Sequence, residues 1–153
     1  MLAENIRSLH NVGAIFRNAD AAGWDEVWLI GYTGTPPDRR IEKVSLGAEN
    51  FTPWRHFSTF LDAFEVAKQE NVALWGLELT ENAKNIFEIQ QNTLPERLGL
   101  VLGNEVTGIV PETLEQLENV VKIPMNGEKA SLNVSVACGI ALYALKQTNQ
   151  TRF

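Results

Sequence analysis

Residues 98–103, LGLVLG, form an apolar run that no polar side chain interrupts. A strand with one wet face alternates apolar and polar residues, whereas a strand covered on both faces does not. The run therefore predicts a strand inside a sheet that carries helices on both sides. Outward from it, short strand-like segments alternate with helical patterns. The segments are EVWLIG (26–31), WRHF (54–57), VALWGLEL (72–79) and VVKIP (120–124), the last ended by its proline. Between them, Val12, Ile15, Phe16 and Ala19 mark one face of a helix over residues 11–23. Asn11 is a candidate cap for it and Gly23 a candidate left-handed stop. YTGTPPD (32–38) reads as a loop and RRIEKVSLG (39–47) as a short helix. Ser58 and Thr59 open a helix to about Asn71, with Thr59 and Asp62 at capping-box spacing. Pro111 suits the first turn of a short helix, PETLEQL. Residues 132–147 are apolar almost all round, so that helix is expected to be buried, with Ser131 as its cap. This alternation specifies an α/β fold, a mainly parallel sheet flanked by helices. Ligands of such sheets bind at the carboxyl ends of strands. The loops after residues 30, 79, 103 and 124 are therefore the places to look.

The chain has 153 residues, one domain's worth, 44% of them hydrophobic and 21% charged. We see no linker, repeat or low-complexity stretch, and expect a single domain over 1–153. The one cysteine, Cys138, cannot form an intramolecular bridge, which fits a reducing compartment. No apolar run approaches the roughly 20 residues of a membrane span. MLAENIRSLH lacks the pattern of a secretion signal, so the expected location is the cytoplasm, with no membrane partner. One cysteine and two histidines cannot make a structural zinc site, and no metal is expected. Neither GxGxxG nor a GxxxxGK[ST] loop is present, so the dinucleotide and P-loop readings lose their best evidence, and a different nucleotide-binding α/β enzyme is the weaker idea.

The net charge is −6, the opposite of a non-specific nucleic-acid binder. It is unevenly spread. Residues 77–119 hold two basic and eight acidic groups, whereas residues 120–153 hold four basic and one acidic. Nucleic acid is thus not excluded, but any grip on it should come from a limited patch and be weak and salt-sensitive.

Three places carry unusual polar residues. After LGLVLG comes Asn104-Glu105-Val106-Thr107-Gly108, where two glycines permit close backbone approach to a ligand. Alone, it also fits a tight turn with a solvated glutamate. After VVKIP comes Met125-Asn126-Gly127-Glu128-Lys129-Ala130-Ser131, with Asn133 and Ser135 inside the apolar helix that follows. If buried, they need partners, in the backbone or in a site. The third place is the helix over 11–23, with Asn11, Arg17 and Asn18. A helical arginine is most often solvated, yet a planar guanidinium also suits phosphate.

Taken together, three segments resemble the SpoU/TrmH-type RNA 2′-O-ribose methyltransferases of the α/β-knot superfamily: NVGAIFRNADAAG (11–23), LVLGNEVTGI (100–109) and IPMNGEKASLNVSVA (123–137). Their order and strand-end positions match across nearly the whole chain. The stretch KVSLGAENF also resembles the family, through Ser45, Gly47 and Ala48. The resemblance implies a deep C-terminal trefoil knot, a topology that general rules disfavour. It implies S-adenosylmethionine as cofactor, RNA (tRNA or rRNA) as substrate and a homodimer in which the N-terminal helix of one subunit nears the partner's site. Carried over by motif, the catalytic positions are Asn11, Arg17, Glu105, Ser131 and Asn133. The cofactor positions are Leu77, Leu79, Thr80, Leu102, Gly103, Asn104, Glu105 and Gly108, together with Ile123, Met125, Ser131 and Leu132. Candidate RNA contacts are Arg7, His10, Arg17, Arg39, Arg40, Lys43 and Arg55, with acidic residues interleaved. Larger members of the family carry an N-terminal RNA-binding domain. Here the first motif starts at residue 11, and the strand expected before it is reduced to MLAENIRS at most. Either the chain is a minimal enzyme, with RNA choice expected from this domain, its dimer or an accessory RNA-binding protein, or a further segment precedes residue 1. The alternative to an enzyme is a non-catalytic knotted module that binds RNA or protein.

Overall fold

The computed structural model describes residues 1–146. The last residue of the helix expected over 132–147 lies outside them. LGLVLG forms β6 (Leu98–Leu102), and Leu100, Val101 and Leu102 are at most 1% exposed. Its neighbours are β1 (Leu2–Glu4) and β4 (Ala73–Leu77). The sheet is completed by β2 (Val27–Ile30), β3 (Trp54–Phe57), β5 (Lys84–Asn85) and β7 (Asn119–Lys122), in the order β3-β2-β1-β6-β4-β7-β5. Every strand pairing is parallel. MLAENIRS thus supplies a strand of only three residues, yet that strand sits inside the sheet between β2 and β6. The two-residue β5 was not foreseen.

Helices cover both faces. On one side, α1 (Leu9–Ala22), α2 (Arg39–Ser45) and α5 (Val134–Lys146) lie over a core that includes Ile15, Phe16, Ile41, Leu142 and Leu145. On the other, α3 (Phe60–Gln69) and α4 (Pro111–Leu114) pack Ala63, Ala67 and Leu114 against Leu2, Trp28 and Val101. The expected capping box of Thr59 and Asp62 is present, and Gly23 ends α1 in a left-handed conformation at φ 64°. Gly13 lets α1 and α2 touch: a Cβ there would lie 2.6 Å from the Ile41 carbonyl oxygen.

Two cap assignments need correction. Asn11 does not cap α1. Ser8 does, its hydroxyl accepting from the Asn11 amide, and Asn11 sits inside the helix, 9% exposed. Ser131 does not cap α5 either. The Asn133 side-chain oxygen accepts from the amides of Ser135 (2.9 Å) and Val136 (3.3 Å). In each case two good capping residues lie close together, and a tertiary partner decides between them. The last helix is also only half covered in a single chain. Cys138, Ala141, Leu142 and Leu145 are buried, but Val136 and Tyr143 are about half exposed. Burial pushes the Cys138 thiol up to about 12, which makes it a packing residue. Among the described residues, no helix is long and apolar enough to cross a membrane, and no cluster of metal-ligating side chains is present.

Candidate active site

A parallel sheet delivers all its carboxyl ends to one edge. At that edge the exits of β4, β6 and β7 and the start of α5 enclose a cleft of about 200 Å³. Its walls are Leu77, Glu78 and Leu79; Leu102 to Val106 and Gly108; Lys122, Ile123 and Met125; and Ser131, Leu132, Val134 and Ala137. Every cofactor position named above borders the cleft except Thr80, whose carbonyl accepts from Lys122 at 3.3 Å. Val106, Lys122, Val134 and Ala137 were not singled out.

The loop after β6 is closed on itself. The Asn104 amide donates to the Gly108 carbonyl (3.1 Å), and the Gly108 amide donates back (2.9 Å). The Asn104 side-chain oxygen accepts from the amides of Val106 (2.8 Å) and Thr107 (3.1 Å). Glu78 ties the loop to β4, accepting from the Ile109 amide at 2.9 Å and the Leu79 amide at 2.8 Å. Gly103 is required by contact with backbone, and Gly108 by its left-handed φ of 69°. A Cβ at 103 would lie 2.2 Å from the Ile109 nitrogen, and one at 108 would lie 2.3 Å from the Glu78 carboxylate.

Glu105 joins the second motif to the first. Its Oε2 accepts from the Arg7 amide (2.9 Å), and its Oε1 accepts from the Ser8 amide (2.9 Å) and the Asn11 side chain (2.8 Å). Partial burial pushes its pKa upward, but the donors from Arg7, Ser8 and Asn11 outweigh this and hold it below the ordinary carboxylate value. Asn11 continues the chain. Its NH₂ is spent on Glu105, so its oxygen is left to accept from the Asn133 NH₂ at 3.1 Å. Asn133 in turn is left with its oxygen, which caps α5 and accepts from the Ser135 hydroxyl at 2.6 Å. One carboxylate therefore sets the orientation of two amides in series, and the relay Glu105–Asn11–Asn133 links all three motifs. Asn18 adds a second link from α1, donating to the Ser135 carbonyl at 2.8 Å.

The remaining candidates lie elsewhere. Ser131 is exposed on the wall of the cleft. Arg17 is exposed on α1, six residues beyond Asn11, roughly 9 Å along the helix, and does not line the cleft of its own chain. Arg7, Arg17, Arg39 and Lys43 are exposed and make no ion pair among the described residues, and His10 is exposed beside them in sequence. Arg40 is paired with Asp38 at 2.9 Å. Arg55 is more firmly committed. Its guanidinium contacts Glu26 and Glu70, each at 2.7 Å, and lies over the Trp28 ring at 4.3 Å. Those acids, 29 and 15 residues away in sequence, compete with any phosphate.

The model of the SpoU rRNA Methylase family matches residues 1–143. The chain belongs to this family. A SpoU-family relative, the 23S rRNA (guanosine-2′-O-)-methyltransferase RlmB of Vibrio cholerae, is 32% identical over 153 residues, covering 99% of this chain and 60% of its own. The chain thus spans less than two thirds of that relative. Among solved structures, an AdoMet-bound rRNA methyltransferase from Sinorhizobium meliloti superposes with a TM-score of 0.88 at 24% identity, over 98% of this chain and 56% of that one. The A. aeolicus TrmH/SpoU tRNA modifying enzyme gives 0.83 at 28% identity, over 95% and 72%.

Proposed function

We propose that this domain transfers a methyl group from S-adenosylmethionine to a ribose 2′-hydroxyl of RNA, with ribosomal RNA as the favoured substrate class, and does so as a homodimer. The carrying observation is the relay of Glu105, Asn11 and Asn133, which brings three distant motifs together beside the cleft. The cleft suits the cofactor chemically. It offers apolar side chains from Leu77, Leu79, Ile123 and Leu132, exposed loop backbone, and two glycine positions where no side chain fits. When bound, the cofactor supplies a methyl group already activated on a sulfonium. The protein's task is then alignment and relief of negative charge on the sugar oxygen.

Glu105 is suited to positioning and not to taking a proton, because a carboxylate with a depressed pKa is a weak base. Arg17 carries a planar guanidinium fork that suits phosphate. We assign it the adjacent RNA phosphate and the developing alkoxide. That role needs a second chain, since Arg17 does not reach the cleft of its own. The half-exposed Val136 and Tyr143 of α5 offer the apolar surface such a pairing would cover. The trefoil threading implied by the family resemblance, and an accessory protein that helps to choose the RNA, belong to the same proposal.

Calorimetry with S-adenosylhomocysteine and tritium transfer from labelled cofactor to ribosomal RNA of cells lacking the gene test the reading directly. Binding and transfer are expected. No binding at high ligand concentration would point to a non-catalytic module. The shared site has its own test. Arg17→Ala and Asn133→Ala are each expected to be inactive, and re-paired mixtures to regain about a quarter of the wild-type rate. Half the dimers would be mixed, each with one complete site. Mixtures as inactive as their parents would show that the site is not shared.

A further inference from the structure

The turn that leaves β2 carries a residue the proposed reaction does not yet use. Gly31 is left-handed at φ 67°, and a Cβ there would lie 2.1 Å from the Asn5 side-chain oxygen. That oxygen accepts from the Tyr32 amide at 3.4 Å. The next residue, Thr33, is buried, and its hydroxyl accepts from the Ile6 amide at 2.9 Å. The backbone of Tyr32 is therefore anchored to the segment that follows β1. The tip of the side chain is anchored as well. Its hydroxyl oxygen accepts from the Asn104 NH₂ at 2.8 Å, and the same NH₂ donates to the Asn5 carbonyl at 2.8 Å.

An aromatic ring held at both ends is usually packed into a core, but Tyr32 is 64% exposed. It stands at the carboxyl edge of the sheet. Its partner Asn104 lines the cleft, and the next residue, Glu105, shares an open hollow with Arg7, Ser8 and Asn11. Among the described residues the Tyr32 hydroxyl donates to nothing, so its hydrogen is free for a ligand.

We propose that Tyr32 is a stacking platform for an unpaired base of the RNA strand that enters the cleft, an inference that rests on the RNA reading above. Single-stranded RNA is commonly held by bases splayed onto aromatic rings. A ring fixed beforehand loses little freedom when the base arrives. Stacking also supplies affinity that does not depend on phosphate charge, which a domain of net charge −6 has little means to attract.

The probe is ribosomal RNA from cells lacking the gene, titrated by filter binding with S-adenosylhomocysteine present. Tyr32→Ala is expected to weaken RNA binding on the order of tenfold, with calorimetric affinity for S-adenosylhomocysteine unchanged. Tyr32→Phe keeps the ring and should keep most of the affinity. Phe51→Ala, which removes an 80% exposed ring from the amino end of the sheet, should be silent. The idea is overturned if Tyr32→Ala binds RNA like wild type. It is also overturned if Tyr32→Phe falls as far as Tyr32→Ala while both lose S-adenosylhomocysteine, because the residue would then only tether the Asn104 loop. Wild type that binds RNA but transfers no methyl group would sink the enzymatic reading and leave the Tyr32 result standing.

Discussion

Gly103→Ala is expected to abolish binding of S-adenosylhomocysteine and to lower stability by about 3 kcal/mol. The added methyl group would lie 2.2 Å from the Ile109 nitrogen, 2.3 Å from the Gly108 carbonyl carbon and 2.5 Å from its oxygen. All three atoms are backbone, so no side-chain rotation relieves the overlap. The loop is also closed by the paired bonds of Asn104 with Gly108 and held by Glu78. Relief must therefore open the loop and carry Asn104, Glu105 and Gly108 away from the cleft. Calorimetry and urea denaturation read the two effects. Wild-type affinity in this variant would mean that the loop is not the cofactor's cradle. Gly127→Ala is the matching control, because a Cβ there meets nothing within 4 Å.

Glu105→Gln is expected to lower methyl transfer roughly 100-fold, as misplacement of a site by about 1 Å can, and to cost only about 1–2 kcal/mol of stability. The carboxylate accepts from three donors through two oxygens. A glutamine must turn its NH₂ toward at least one of them, donor against donor. If Asn11 flips in response, Asn133 loses its partner and the start of α5 shifts. The pH dependence has a definite sign. A carboxylate whose folded pKa is depressed adds stability that is fully present above its unfolded value, near 4.5, and is lost as pH falls through the folded value. Wild type should therefore lose more stability than Glu105→Gln between about pH 7 and about pH 3.5. Equal losses by urea midpoint at the two pH values would remove the charge from the account.

Much of this architecture was legible in the sequence. Continuous apolar strands, the stop at Gly23 and the Thr59–Asp62 box depend on neighbours a few residues away, and each stands where local pattern places it. Asn11 and Asn133 were legible as polar residues needing partners, but not as partners of each other, because they are 122 residues apart. Ser8 and Asn11 are both good caps, and only Glu105 decides between them. Arg55 looked available for phosphate because neither of its acids is near it in sequence. Gly13 gave no sign that α2 lies against it. Tyr32 read as a loop residue, since its exposure and double anchoring exist only in three dimensions.

The relay also bears on when the domain can work. Its bonds span 94 and 122 residues, and β1 meets β6 only when Leu2 finds Val101. Contacts of such separation form late, because closing a long loop costs entropy before any bond repays it. A chain still being made on the ribosome can wind α1 early, but it has neither the carboxylate that orients Asn11 nor the helix start that Asn133 caps. The relay is then complete only after residue 133 has emerged and α5 has docked. A half-made copy, however helical, has no complete cleft in which to hold a methyl donor.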